Sequence, residues 1–199
     1  MARRLGRPFF ARAPDDVAAD LVGRFLVVHY ARRPTYARLV EVEAYAGRDD
    51  PASHAFRGPT PRTEVMFGPA GHLYVYRSYG VHWCVNVVTG TVGDASAVLL
   101  RAAEVVAGTA RDAAVLELLR GPGLLTRGLG ITGDDNGLDC CARGSRVSFA
   151  DAPGEVDARV SSSPRVGITR AVDRPSRYFL AGHPAVSGPR RPAPGTRRA

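Results

Sequence analysis

The chain has 199 residues, a formal net charge of +8 and 45% hydrophobic residues. This length and composition are typical of one globular domain with a proper core, and no apolar run is long enough to span a bilayer. All 27 basic residues are arginines, which excludes a mechanism that needs a lysine Schiff base. The excess positive charge suits a polyanionic partner, and nucleic acid is the first candidate.

The cysteines indicate a reduced protein without a metal centre. Cys140 and Cys141 are adjacent, and with Cys84 the count is odd, which argues against a disulfide framework. Three thiolates cannot complete an iron–sulfur cluster, and no Cys/His spacing resembles a zinc site. The basic start also lacks the apolar core of a secretory signal. We therefore expect no metal, no cofactor, no membrane association and a cytoplasmic location.

The first part of the chain predicts an arm, a helix and a β-hairpin. Residues 1–9 are interpreted as a basic arm, which is either loose or an initial extended segment. The segment Pro14-Asp15-Asp16 begins a helix with acidic residues in its first turn, and Gly23 ends it. Residues 24–30 are rich in Val, Phe and Leu, which predicts a strand, and 36–45 returns as the second strand of a hairpin.

That second strand carries polar residues with period two. Leu39, Glu41, Glu43 and Tyr45 share one face, and His54 follows in the next loop. Two carboxylates and a ring beside a histidine are a plausible place for chemistry. A strand face exposed to solvent would give the same pattern, so the spacing alone leaves both interpretations open.

A glycine- and proline-rich loop over 46–72 follows, and its aromatic and apolar content indicates an ordered functional loop. Strands are then predicted over 73–80, 81–88 and 97–102, joined as hairpins. Tyr79 lies at the tip of the first of these hairpins, where its ring would be exposed.

The second half of the chain mixes helical and strand patterns. We expect helices over 109–119 and from Gly121 onward. Weak strands are expected over 145–160, 165–168 and 177–180. A proline- and arginine-rich mobile tail is expected over 188–199.

Motifs along nearly the whole chain, from Phe10 to Ser187, resemble the alkyladenine (3-methyladenine) DNA glycosylase family. The residues that carry the resemblance are Val42–Tyr45, Ser53–Gly58, Thr60–Arg62, Met66–Gly68, Leu73–Tyr76, Tyr79–Gly80, His82–Asn86, Val98–Ala102, Gly121–Leu125, Arg165–Gly167 and Arg177–Phe179. Any one of these motifs is weak, but so many in the same order make a chance resemblance improbable. The resemblance implies a single α+β domain with a curved, mainly antiparallel sheet flanked by helices. It also implies an enzyme that excises damaged purines from double-stranded DNA, which would associate it with the bacterial nucleoid. We expect a monomer, because no apolar heptad or repeat indicates a larger assembly.

The resemblance assigns three residues to catalysis. Glu43 matches the general base that activates the attacking water. Arg101 matches a residue that holds this water, and the carbonyl of Val166 matches a second one. A carboxylate suits the reaction because breaking the glycosidic bond develops positive charge on the sugar.

Further residues match the base pocket and the DNA contacts. Tyr45, His54 and Tyr76 match the walls that stack the extruded base, and a cationic alkylated purine would gain roughly 0.5–2 kcal/mol per electron-rich ring. Asn86 matches a residue that discriminates against normal bases, and Tyr79 the side chain inserted into the duplex. The expected contacts with the DNA backbone are Thr60, Arg62 and Arg127.

The sequence departs from the family pattern at three positions near these contacts. Val81 follows Tyr79-Gly80, where a methionine is common. Leu124 stands where a lysine is usual, and Thr63 where an asparagine is usual. Two other functions also remain open. One is a catalytically silent DNA-binding relative, and the other is a hydrolase of sugars or nucleosides that uses Glu41 and Glu43 as a carboxylate pair.

Overall fold

The computed structural model describes residues 2–30, 33–108, 118–152 and 160–188. Within these ranges nine strands form one curled antiparallel sheet, with short helices packed on it, so the predicted α+β fold class is confirmed. The strands are β1 (Phe25–Tyr30), β2 (Arg33–Tyr45), β3 (Leu73–Ser78), β4 (His82–Thr89), β5 (Ser96–Ala107), β6 (Leu118–Arg120), β7 (Val147–Ala150), β8 (Val160–Ser163) and β9 (Arg177–Leu180). The helices are α1 (Arg7–Phe10), α2 (Pro14–Leu21) and α3 (Pro122–Gly128), and 3₁₀ turns cover Gly47–Asp49, Glu64–Phe67 and Gly133–Asp135.

The sheet is organised around β2. One edge of this strand pairs with β5 along nearly its whole length. The other edge is shared, because β1 pairs with its first half and β9 with Glu41–Glu43. Strand β2 is therefore central to the sheet, and Leu39 to Glu43 are all buried. The interpretation of 39–45 as a solvated strand face is wrong.

Helix α2 shows why the first elements form as predicted. Proline occupies its first turn with Asp15 and Asp16, where acidic groups complement the helix dipole. Its apolar face buries Val17 and Leu21 against the sheet. Gly23 then adopts a positive φ of 91°, a conformation that glycine reaches without a steric penalty. The predicted helix, its end and the following hairpin are confirmed.

The start of the chain is packed on the domain rather than forming a loose arm. Arg4 forms a β-bridge with Ala150 at the edge of β7. Leu5 is buried, and Arg7 in helix α1 forms an ion pair with Asp139 at 2.7 Å. The arginines near the start predicted a solvated arm. The sequence alone does not show that Asp139, 132 residues away, is the partner of Arg7.

Two predicted elements in the second half differ from the structure. Of the helix predicted over 109–119, residues 109–117 lie outside the described residues, and Leu118–Arg120 form strand β6 on β5. Residues 165–168 are irregular instead of a strand, with a bend at 166–167, since Gly167 has a φ of 75°. The strand lies just before them, as β8. Residues 189–199 of the predicted tail lie outside the described residues.

The loop over 46–72 is irregular and ordered, as predicted. Gly47 fixes one end of it, because a Cβ at that position would lie 2.0 Å from the carbonyl oxygen of Asp94. Ala55 and Met66 are buried in a small apolar cluster with Tyr74. This packing holds His54 over the strand that carries the tyrosines. In the described part of the chain, no helix is long and apolar enough to cross a membrane.

Candidate active site

A cleft of about 750 Å³ opens between the tyrosine-bearing strands, the 51–57 loop and the segment after Arg165. Its lining brings together most of the residues that the sequence singled out. These are Tyr45, His54, Arg62, Tyr76, Tyr79, Asn86, Arg101 and Val166. Glu43 is not part of the lining and lies directly behind it.

Glu43 is 0% exposed, and residues of the cleft wall contact both of its carboxyl oxygens. Its Oε1 accepts a hydrogen bond from the amide of Val166 at 2.7 Å, and its Oε2 accepts one from the Tyr45 hydroxyl at 2.9 Å. Arg101 Nη1 lies 3.3 Å from the same Oε2. The Val166 contact is made by the N–H group, and the role expected of its carbonyl stays a prediction. Both carboxyl oxygens of Glu43 are therefore held by residues that line the cleft.

A β-bulge aims Arg101 at the two glutamates. Glu41 pairs with Ala102 and Val42 pairs with Leu100, so Arg101 is the extra residue between two registered pairs. Bulges of this kind redirect a side chain and are common beside active sites. The result is an arginine that bridges two carboxylates on one strand.

Glu41 is buried among positive groups and has no contact with the cleft. Its Oε1 accepts hydrogen bonds from the Nε atoms of Arg101 and Arg177, both at 2.8 Å. The Ser187 amide donates to its Oε2 at 2.6 Å. Burial raises the pKa of Glu41, but Arg101, the Ser187 amide and Arg177 outweigh it and lower that pKa. A carboxylate pair needs one member that donates a proton to the leaving group. Glu41 is buried and its lowered pKa keeps it ionised, so it is unsuited to that role. This argues against a hydrolase that pairs Glu41 with Glu43.

Three aromatic side chains form the deep wall of the cleft. The ring of His54 meets Tyr76 edge-on at 4.6 Å, and Tyr74 stacks on Tyr76 with ring centroids 5.4 Å apart. The Tyr74 hydroxyl lies 3.0 Å from His54 Nδ1. Sequence reasoning missed Tyr74, although the period of two in β3 places it on the same face as Tyr76.

Tyr45 also lines the cleft, and residues behind the lining hold it in place. Burial and the neighbouring Glu43 charge raise the pKa of Tyr45, so its hydroxyl stays protonated and donates to Glu43. The guanidinium of Arg165 lies 4.5 Å from the centre of the Tyr45 ring. Arg165 itself pairs with Asp50 and donates to the Ala44 carbonyl at 2.9 Å. The motif around Arg165 was noticed in the sequence, but its place against Tyr45 was not.

The remaining pocket residues are fixed by their neighbours. Asn86 is buried, and its amide nitrogen donates to the Tyr74 carbonyl at 3.0 Å on the paired strand. Burial and the charge of Arg62 lower the pKa of His54. A neutral imidazole therefore faces the cleft at pH 7.

Tyr79 is presented at the tip of the β3–β4 hairpin and is 98% exposed. It adopts a φ of 49° and Gly80 a φ of 69°, while the Val81 amide closes the turn on the Ser78 carbonyl at 3.0 Å. Such a conformation costs a non-glycine residue of order 1–3 kcal/mol and is concentrated at functional sites. The structure therefore holds a solvated aromatic ring at the mouth of the cleft.

The three predicted backbone contacts occupy different places. Arg62 lines the cleft, with its guanidinium 5.1 Å from the centre of the Tyr76 ring. Thr60 is exposed, and its hydroxyl lies 2.9 Å from that of Thr63. Arg127 is exposed on helix α3, outside the cleft lining. Buried Thr63 thus completes a turn that positions Arg62.

The chain is similar to known proteins along most of its length. The sequence profile of the methylpurine-DNA glycosylase family matches residues 8–184. A protein of Frankia casuarinae is 52% identical over 94% of this chain and 93% of its own length. Relatives from Burkholderia lata and Methanoculleus marisnigri are 42% and 49% identical over 93% and 90% of this chain, and over 91% and 96% of their own lengths. All three carry the name "Putative 3-methyladenine DNA glycosylase".

The fold, the cleft and these matches define one class of protein, the DNA glycosylases. The chain belongs to the methylpurine-DNA glycosylase family. The resemblance noted in the sequence is therefore confirmed. The roles of individual side chains remain predictions.

Proposed function

We propose that this protein is a monofunctional DNA glycosylase that extrudes damaged purines from duplex DNA and hydrolyses their N-glycosidic bond with a water activated by Glu43. The observation that carries the proposal is the Glu43 carboxylate, directly behind an aromatic cleft and bonded by Tyr45, Arg101 and Val166 of its wall. The family and the names of the relatives support damaged purines as the substrate class.

The reacting water would lie among these three wall residues, because they cover Glu43 on the side of the cleft. Glu43 takes a proton from the water, the water oxygen bonds to C1′ of the sugar, and the C1′–N bond breaks with its electron pair leaving on the purine. A cationic alkylated purine becomes neutral on taking this pair, whereas a neutral purine leaves as an anion and takes a proton from solvent. The negative carboxylate also stabilises the positive charge that develops on the sugar. Arg101 and the Val166 amide orient the carboxylate.

The pocket would bind the base after it leaves the stack. Extrusion costs a few kcal/mol and is less costly for a damaged base. The flat rings of Tyr45, Tyr76 and His54, which line the cleft, match the faces of a purine. Asn86 adds a fixed amide at the inner end of the cleft, where exocyclic groups of a normal base can be rejected.

Tyr79 would fill the gap that the extruded base leaves in the duplex. We expect Tyr79→Ser to lower excision from duplex DNA by about tenfold, since part of the extrusion cost is no longer offset. Excision from single-stranded DNA should fall much less. Single-turnover rates on the same lesion in both forms measure this.

The matched control is Tyr79→Phe, which keeps the ring and should retain nearly the wild-type rate. Because Tyr79 is exposed, neither change should alter folding. Equal losses on duplex and single strands would contradict the wedge role.

The overall proposal predicts base release without strand cleavage. Duplexes that carry hypoxanthine, ethenoadenine or an alkylated purine should break at the lesion only after treatment with alkali, because the chain has no lysine to form a Schiff base with the abasic sugar. Gel electrophoresis before and after alkali measures this. Breaks before alkali would contradict monofunctional chemistry, and no release from any lesion would favour a silent DNA-binding protein.

A further inference from the structure

Two of the tyrosines that line the cleft already carry a protein cation. The guanidinium of Arg165 lies 4.5 Å from the centre of the Tyr45 ring, and that of Arg62 lies 5.1 Å from the centre of the Tyr76 ring. A ring attracts a cation through its negative face. The electron-rich surfaces that would attract a cationic base are thus partly engaged before any substrate enters.

The two arginines differ in how their charge is balanced. Arg165 is buried and paired with Asp50, so its charge is neutralised locally. Arg62 is exposed at the cleft, and none of the ion pairs found in the described residues includes it. Its charge acts inside the pocket, since it helps to lower the pKa of His54. Arg62 is therefore a positive group that faces whatever base the cleft holds.

We propose that Arg62 is a specificity-determining residue that favours neutral damaged purines, such as hypoxanthine and ethenoadenine, over cationic N-alkylated purines. The inference deepens the proposed function and rests on it. It also revises the expectation that the tyrosines alone would make the pocket attractive to a cationic base.

The chemistry of the two lesion classes supports this preference. A purine alkylated at N3 or N7 carries a positive charge and has lost the lone pair at the alkylated nitrogen. Its charge is repelled by the guanidinium. Hypoxanthine and ethenoadenine are neutral and keep the lone pairs at both N3 and N7. Arginine offers only hydrogen-bond donors. It can therefore donate to a ring nitrogen of a neutral purine, whereas it repels a cationic purine and finds no acceptor at the alkylated nitrogen.

The competing role for Arg62 is the phosphate contact that the resemblance implies. A phosphate contact acts on every lesion equally, because it does not touch the base. A charge inside the pocket changes the ratio of the excision rates of cationic and neutral lesions. The ratio of cationic to neutral substrate therefore separates the two roles.

The test uses matched duplexes that carry either hypoxanthine or 7-methylguanine in one sequence context. Single-turnover excision rates are measured for wild type, Arg62→Gln and Arg62→Lys, with spontaneous depurination subtracted. We expect Arg62→Gln to raise the rate ratio of 7-methylguanine to hypoxanthine about fivefold to tenfold, which corresponds to a like-charge contact at about 4 Å that is screened nearly as in bulk water, because Arg62 is exposed. Arg62→Lys keeps the charge and should leave this ratio within about twofold of wild type.

Arg127→Gln is the matched control for lost positive charge outside the cleft, and it should change both rates by the same factor. Equal changes for both lesions with Arg62→Gln would overturn the proposal and assign Arg62 to the DNA backbone. The affinities of Glu43→Gln and of the double variant Glu43→Gln/Arg62→Gln for the same two duplexes provide a second test. Their ratio, 7-methylguanine to hypoxanthine, reports the same preference without catalysis. They keep the inference testable if excision itself is absent, which would count against the proposed function alone.

Discussion

Replacing Glu43 by glutamine is expected to lower excision of a damaged purine by on the order of 10²–10⁴-fold, the range typical of removing a general base. Glutamine has nearly the same size, and its carbonyl oxygen can still accept the Val166 N–H bond. It cannot accept a proton from water or place a negative charge beside C1′. Single-turnover excision of hypoxanthine from a duplex measures the loss, and binding of the same duplex should be retained.

Glu43→Asp is the matched control because it keeps the charge and moves it back by one methylene. Its rate should lie between those of wild type and Glu43→Gln. If Glu43→Gln retained nearly full activity while remaining folded, another group would have to activate the water. Arg101 could not replace it, since its guanidinium stays protonated.

Glu41→Gln is expected to destabilise the fold by about 3–5 kcal/mol, the usual cost of removing one partner from a buried charge network. The substitution leaves Arg101 and Arg177 inside the sheet without the carboxylate that both contact at 2.8 Å. Urea or guanidinium unfolding followed by circular dichroism measures the change. Asp20→Asn is the control, because its ion pair with Arg12 is exposed and should contribute about 0–1 kcal/mol.

The Glu41 effect should also depend on pH with a defined sign. The pKa of Glu41 is lowered in the folded protein from a reference value of 4.5. The carboxylate therefore contributes stability above that reference value and loses it as pH falls through the folded pKa. The difference in unfolding free energy between wild type and Glu41→Gln should shrink at acidic pH. A difference that grew on acidification would contradict the ion-pair role.

Strand β2 carries one glutamate that supports the fold, Glu41, and one that we assign to catalysis, Glu43. Arg101 contacts both carboxylates, so the support given by Glu41 also fixes the cation that faces Glu43. Glu41→Gln should therefore lower activity indirectly, through displacement of Arg101. A protein with this change that remained folded and fully active would show that Arg101 needs no such support.

The sequence by itself determined helix α2, the hairpins and the face of β2. The contact between Glu43 and Tyr45 follows from period two, because side chains two residues apart share a strand face. The exposed Tyr79 followed from its place beside Gly80 in a tight turn. The family followed from many short motifs in the same order.

Only the tertiary structure decided which polar groups are buried and which cations reach them. Arg101 faces the glutamates because a register shift between β2 and β5 makes it the extra residue of a bulge, and register depends on pairing across the sheet. The positions of Arg62 and Arg165 on the rings of Tyr76 and Tyr45 depend on loops folded back from distant parts of the chain. The period of two in a sequence decides on which face of its own strand a side chain lies. Burial and charge balance depend on what the rest of the chain places opposite it.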